Sequence, residues 1–185
     1  MKIILASKSP RRQDILRKAG VKFTTLTSQI TEVESGIYYQ HIPLFNAIAK
    51  ASEVAEYFPE ALIIGADTVI EFQHQTIGKP ASLEHAANIL KQLSGETHQV
   101  VSAICLICKK LKIKTVFADT TEIRFKTLSA STITEYLKKV EVLDKAGAYA
   151  IQEHGDMLVD CINGSIDNVI GLPLERVMES LQLYR

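Results

Sequence analysis

The residues best suited to chemistry lie in short, separate runs. The first is Ser7-Lys8-Ser9-Pro10-Arg11-Arg12. Ser9 suits a helix N-cap and Pro10 the first helical position, so the run reads as strand end, loop and helix start. A helix N-terminus presents unpaired N–H groups and partial positive charge. Arginines in that first turn oppose the dipole, and a bound anion reverses the balance. Ser7, Ser9, Arg11 and Arg12 together form a phosphate cradle on this reading. The plainer alternative leaves the arginines solvated or paired with Asp14.

Gly65-Ala66-Asp67-Thr68 ends a continuous apolar run that begins at Ala61. A carboxylate at the end of a buried strand in an open α/β sheet stands where ligands bind. It can hold a divalent metal or act as a general base. Otherwise Asp67 caps a turn. In Gly78-Lys79-Pro80, the proline biases Lys79 towards an extended backbone and fixes its direction. The same tripeptide also makes an ordinary turn. Lys50 flanks an apolar helical stripe near Val54, from which it either reaches inward or snorkels to solvent. Glu32 and Glu34, in a long loop, can complete an oxygen-donor metal site with Asp67 or simply remain solvated. Tyr149 and Gln152 offer stacking and hydrogen bonding to a base, or else an ordinary turn with a core aromatic.

These residues need elements to position them. Ile3–Ala6 reads as a core strand and 10–19 as a helix stopped by Gly20, with Val21–Leu26 as a second strand. Residues 28–42 read as a long loop. Leu44, Ile48, Ala51, Ala55 and Phe58 form one stripe of a helix over 43–58. Ala61–Ala66 is a central strand, with continuation through Val69–Phe72 and a turn at 73–75. Ser82–Leu93 is helical. His98–Lys109 and Lys114–Phe125 form a hairpin. A helix from Leu128 to Val140, a strand over Met157–Ile162 and a helix launched by Gly171-Leu172-Pro173 complete the chain. Alternating strands and helices predict an α/β fold with a mixed sheet in a single domain spanning 1–185.

Composition narrows the function. The chain has 185 residues, with 21 Lys+Arg against 21 Asp+Glu. A formal net charge of zero disfavours bulk electrostatic binding to nucleic acid or an anionic membrane. No apolar run approaches the ~20 residues that span a bilayer. Three cysteines and no signal-peptide pattern suggest a reducing, cytoplasmic setting. Cys105 and Cys108 have CxxC spacing, but three residues apart on a strand they face opposite sides and cannot converge on a metal.

Taken in order, Leu5-Ala6-Ser7-x-Ser9-Pro10-Arg11-Arg12, Gly65-Ala66-Asp67-Thr68, Gly78-Lys79-Pro80, Leu93-Ser94-Gly95-x-Thr97-His98, Asp144-Lys145-Ala146-Gly147-Ala148-Tyr149-x-Ile151-Gln152 and Ile162-Asn163-Gly164-Ser165-x-x-Asn168-Val169-x-Gly171-Leu172-Pro173 resemble the Maf family of nucleoside triphosphate pyrophosphatases. The resemblance implies an elongated mixed β-sheet flanked by helices, two lobes around a central cleft, and a homodimer. It implies hydrolysis of a triphosphate to the monophosphate and pyrophosphate with Mg²⁺ or Mn²⁺. By the same resemblance Asp67 is the proton acceptor, Lys79 and Lys50 are pocket lysines, and Glu32 is an acidic cleft residue that joins Asp67 at the metal. Ser7, Ser9, Arg11 and Arg12 match the phosphate loop. Arg12, Thr68 and Gln152 match the positions that distinguish a subgroup acting on dTTP and UTP from one acting on 7-methyl-GTP. Asn46 and the Thr31-Glu32-Val33-Glu34 loop depart from the family's usual residues. The alternative to an enzyme is a nucleotide-binding regulator of cell division without significant turnover.

Overall fold

The computed structural model describes residues 1–34 and 38–184. In chain order its elements are β1 (Ile3–Leu5), α1 (Pro10–Lys18), β2 (Thr24–Thr25), α2 (Ile42–Tyr57), β3 (Leu62–Phe72), β4 (Gln75–Ile77), α3 (Leu83–Leu93), β5 (Thr97–Cys108), β6 (Ile113–Phe125), α4 (Ala130–Lys139), β7 (Val159–Asn163), α5 (Ile166–Ile170) and α6 (Leu174–Gln182). The strands form one mixed sheet in the order β2-β1-β3-β5-β6-β7, with β4 paired to β3. β1 runs parallel to both β2 and β3, and the remaining pairings are antiparallel. This is the α/β class expected from the alternation of elements.

Register explains where the sheet opens. β5 covers one edge of β3 from Ile63 to Glu71. On the other edge β1 pairs with Leu62–Ile64, and β4 with Ile70–Phe72. Residues 65–69 lie between them with no strand on that side. The middle of β3 is therefore uncovered on one edge, and Asp67 and Thr68 stand there.

Alternation along the strands sorts the core. Leu62, Ile64 and Ala66 of β3 pack with Ile104, Leu106 and Cys108 of β5 beneath α1 and α6. Further along the same face, Ile70 and Val100 join Ile123 and Phe125 beneath α3 and α4. Between these apolar clusters lies a polar band of Thr68, Ser102, Thr121 and Asn168. The band divides the face into two lobes that share one sheet. On the opposite face Ile63, Ala103, Cys105 and Ile107 pack against Ala47, Ala51, Val54 and Ala55 of α2. Cys105 and Cys108 thus lie in clusters on opposite faces, as their spacing requires, and burial pushes the Cys105 thiol up to about 11.

Local sequence accounts for most boundaries. Ser9, Ser82 and Ser129 each accept a hydrogen bond from a backbone N–H in the first turn of the helix they begin. Five elements differ from expectation. β2 keeps only Thr24–Thr25, because Val21 turns into the core under α1 instead of extending the strand. β3 continues unbroken through eleven residues. β4 follows a tight turn at Gln73 and His74, both with positive φ, and its three residues are too short for a periodic signal. β7 starts at Val159 rather than Met157, after a short 3-10 turn at Gly155–Met157. α5, five residues capped by Ser165, was not anticipated. Among the described residues no helix is long and apolar enough to cross a membrane.

Candidate functional site

One glycine lets the two central elements meet. A Cβ at Gly65 would lie 2.2 Å from the Ala47 carbonyl oxygen and 2.8 Å from the Ala51 Cβ. Only glycine lets α2 rest this close on β3. That contact brings Asn46 and Lys50 to Asp67. Lys50 is 7% exposed and Asp67 6%. The Lys50 Nζ donates to Asp67 Oδ1 at 2.7 Å and lies 2.9 Å from Glu32 Oε1. It also approaches the Ala66 carbonyl at 3.5 Å. Asn46 Nδ2 donates to Asp67 Oδ2 at 3.0 Å, so both oxygens of that carboxylate are engaged.

The loop carrying Glu32 is fastened along α2. Asn46 donates to the Val33 carbonyl at 2.9 Å and accepts from the Val33 N–H at 2.8 Å. Glu53 Oε2 accepts from the Ser28 hydroxyl at 2.5 Å and the Gln29 N–H at 2.8 Å. Asn46, Lys50 and Glu53 are spaced i, i+4, i+7, so one stripe of the helix holds the loop at three places. Burial raises the Glu32 carboxyl, but the hydrogen bond and charge of Lys50, helped by the charges of Lys79 and Arg12, outweigh this and hold it below the usual carboxylate range.

Thr68 points to the other face of β3 and meets Arg12. The Arg12 Nε donates to the Gly171 carbonyl at 2.8 Å and Nη1 to the Ala66 carbonyl at 3.1 Å. Nη1 also donates to Ser7 Oγ at 3.2 Å, and Nη2 to Thr68 Oγ1 at 2.9 Å. A guanidinium has five N–H groups. Four are committed here, so Arg12 pins three segments together, and among the described residues one Nη2–H has no partner. Burial lowers the Arg12 guanidinium from its ordinary value, opposed by the charges of Asp67 and Glu32. Ser7 Oγ already accepts from Arg12 and from the Ser9 N–H at 3.2 Å, which leaves its proton to give. Ser9 caps α1 through a long 3.5 Å bond from the Arg12 N–H. Asp14, the rival partner for the arginines, instead pairs with Arg17 at 2.6 Å.

A family model described as Maf-like protein matches residues 2–184. The chain belongs to the Maf family. Relatives named dTTP/UTP pyrophosphatase include one from Akkermansia muciniphila, 42% identical over 97% of this chain and 94% of its own. Another, from Clostridioides difficile, is 41% identical over 100% of this chain and 95% of its own. A third, from Bacillus cereus, is 39% identical over 99% of this chain and 95% of its own. Among solved structures the Ham1 protein of Staphylococcus aureus has the same fold, with a TM-score of 0.56 over the full length of both chains at 15% identity.

Not every residue singled out from this Maf-family sequence enters the cluster. Lys79 is exposed, and its segment is docked by the Gly147 N–H donating to the Gly78 carbonyl at 3.1 Å. Gly147 has φ 69°, and a Cβ there would lie 2.3 Å from Ile70 Cδ1, so this turn requires glycine. Arg11 is partly buried and its charge acts on both Arg12 and Asp144. Gln152 is exposed, and among the described residues no hydrogen bond joins it to Arg12 or Thr68. Glu34 is exposed on the strapped loop. Tyr149 is core, not a stacking platform: it is 6% exposed and edge-on to both His98 and Phe125.

The structure gives contacts to residues to which the sequence reading assigns no role. Asn46 and Glu53 share a helical face with Lys50, and that spacing was the available signal. Lys145 is buried, donates to the Glu141 carbonyl, and pairs with Asp144 at 2.9 Å and Glu153 at 3.5 Å. It fixes the base of the turn that docks Gly78. Ser102 and Asn168 join Thr68 from distant parts of the chain; Asn168 stands in a quoted motif without an assigned role, and nothing local in the sequence marks Ser102.

Proposed function

We propose that this chain is a nucleoside triphosphate pyrophosphatase that cleaves dTTP and UTP between the α and β phosphates, releasing the monophosphate and pyrophosphate. The observation that carries the reading is the convergence of Asp67 and Glu32 on Lys50 beside Arg12, in a Maf-family chain whose relatives bear that activity in their names. A binding-only regulator has no use for two carboxylates drawn to one buried lysine.

Asp67 and Glu32, both within 3 Å of the Lys50 ammonium, bring two carboxylates side by side as a pair of oxygen donors. Such a pair suits Mg²⁺ or Mn²⁺, which complete their shells with phosphate oxygens and water. Asp67 and Glu32 would hold that ion, and when bound it would draw charge from the phosphates. Asp67 accepts the proton of the attacking water. Lys50 and Asn46 orient that carboxylate. Arg11, Lys79 and the N-terminus of α1 offset the charge of the triphosphate, with Ser7 donating its hydroxyl proton. Ser9 holds the loop in shape. Arg12, Thr68 and Gln152 select the base, Gln152 reaching the substrate from its exposed turn. The single domain of 1–185 acts as a cytoplasmic homodimer on a small-molecule substrate, with no nucleic acid or membrane partner.

The test is pyrophosphate release from dTTP, UTP, CTP, GTP, 7-methyl-GTP and ITP with Mg²⁺ or Mn²⁺. Preference for dTTP and UTP, abolished by EDTA, is the expected result. Tight binding of these nucleotides without release from any of them would overturn the reading.

A further inference from the structure

Ser102 is fully buried on β5, directly opposite Thr68 in the register of the sheet. Its Oγ donates to the Asn168 carbonyl at 2.8 Å and lies 2.8 Å from Thr68 Oγ1. The direction of every proton in this chain of contacts follows from chemistry. A carbonyl oxygen only accepts, so the one Ser102 proton goes to Asn168. A guanidinium only donates, so Arg12 Nη2 gives its proton to Thr68. The bond between Thr68 and Ser102 then has a single proton left to it, that of Thr68. The order runs Arg12 to Thr68 to Ser102 to Asn168, and the Thr68 hydroxyl proton points into the core.

This has a consequence for the ligand. Thr68 has no proton to offer the cleft. Among the described residues, what this corner can still donate is one Nη2–H of Arg12 and the hydroxyl proton of Ser7. Both of these remaining protons call for an acceptor atom on the substrate, such as a phosphate or base oxygen.

We propose that Ser102 is a positioning residue for substrate selection: it fixes the direction of the Thr68 hydroxyl, and through it the Arg12 guanidinium, so that this corner takes an acceptor oxygen of the triphosphate substrate. The proposal rests on the reading above for its substrate. Asn168 anchors the arrangement. Its own side chain is tied to the Val100 carbonyl at 3.0 Å and Thr121 Oγ1 at 2.9 Å, which holds α5 in the polar band. Gly171, at the end of α5, supplies the carbonyl that Arg12 Nε binds.

The experiment compares Ser102→Ala, Thr68→Val and the double variant. Ser102→Ala frees the Thr68 proton to turn towards the cleft. The KM for dTTP should rise by about tenfold with kcat within about twofold, the scale of one misdirected hydrogen bond. In the Thr68→Val background the same change should have no further effect on KM, because the hydroxyl it directs is gone. Equal losses in both backgrounds would overturn the proposal, since a purely structural serine acts without Thr68. Hydrogen exchange at the Arg12 Nε–H, read by NMR without substrate, gives a measure independent of turnover. It should be protected in the natural protein and faster in Ser102→Ala; no change in its rate would also overturn the proposal. Inhibition by inorganic triphosphate distinguishes the acceptor. A parallel loss of its affinity in Ser102→Ala assigns a phosphate oxygen, whereas an unchanged affinity assigns a base carbonyl. If the natural protein releases no pyrophosphate, the functional reading fails, and the dissociation constant for dTTP and the Arg12 exchange rate still decide the role of Ser102.

Discussion

Asp67 and Thr68 are consecutive residues, yet they face opposite sides of β3 and live in different chemical settings. Asp67 is enclosed by α2, with an ammonium and a carboxamide on its two oxygens. Thr68 is held from the other face by a guanidinium and a buried serine. The first setting gathers two carboxylates on one lysine, a group with net negative charge suited to proton transfer and metal. The second is a directed line of hydrogen bonds without a carboxylate, suited to choosing between ligands. Arg12 and Lys50 both reach the Ala66 carbonyl, so the two settings touch at the uncovered edge of the strand. On the proposed function, one strand separates chemistry from selection by a single step of its pleat.

That contrast can be broken most severely on the Asp67 side. Asp67→Asn should lower turnover by at least ~100-fold while leaving the fold intact, as loss of a general base does. Steady-state pyrophosphate release beside circular dichroism checks this; near-normal turnover would remove Asp67 from its role. Gly65→Ala should come next. Its Cβ meets backbone, so α2 must shift, and stability should drop by about 1–3 kcal/mol. The displaced lysine should cost on the order of tenfold or more in turnover, with base preference little altered because the Thr68 face does not touch α2. Urea unfolding and a dTTP-to-GTP ratio measure the two parts separately. Asn46→Ala should reduce kcat by about tenfold, and the Glu32 loop should become more susceptible to protease. An unchanged digestion pattern would argue against the fastening by α2.

The smallest effect on turnover belongs to the distant lobe. His98 Nε2 pairs with the Tyr149 hydroxyl at 2.8 Å, and burial lowers the imidazole from 6.5 to about 4. The unfolded chain therefore binds a proton that the folded chain resists. Stability should be fully present above pH 6.5 and fall as pH drops from there towards 4, by about 3 kcal/mol over the window. Denaturation at pH 7 and pH 4.5 should show the loss, and His98→Phe should flatten that part of the profile. Initial rates at neutral pH should hardly change, since no catalytic group contacts this ring.

Legibility from the sequence followed the range of the forces involved. Helix starts at Ser9, Ser82 and Ser129 were readable because a cap is a contact within one turn. The buried run before Asp67 was readable because only a central strand hides so many consecutive apolar side chains. β4 and α5 were missed because three and five residues carry too little periodicity. The sequence assigns roles to Asp67, Lys50 and Glu32, marks Asn46 only as a departure from the family pattern, and leaves Ser102 unnamed. A buried amide or hydroxyl has no composition signal until its partners are known, and those partners come from the far side of the chain.

By itself the sequence determined the α/β class, the family, the opposed faces of Cys105 and Cys108, and the identity of the charged residues. These depend on periodicity, on local capping and on an ordered set of motifs. Only the tertiary structure decided that four N–H groups of Arg12 are spent inside the protein, that Tyr149 is core, and that Glu32 reaches Lys50 across the α2 surface. Hydrogen bonds act over about 3 Å, and which groups come that close is set by the packing of α2 on Gly65 and the register of β3 against β5, not by distance along the chain.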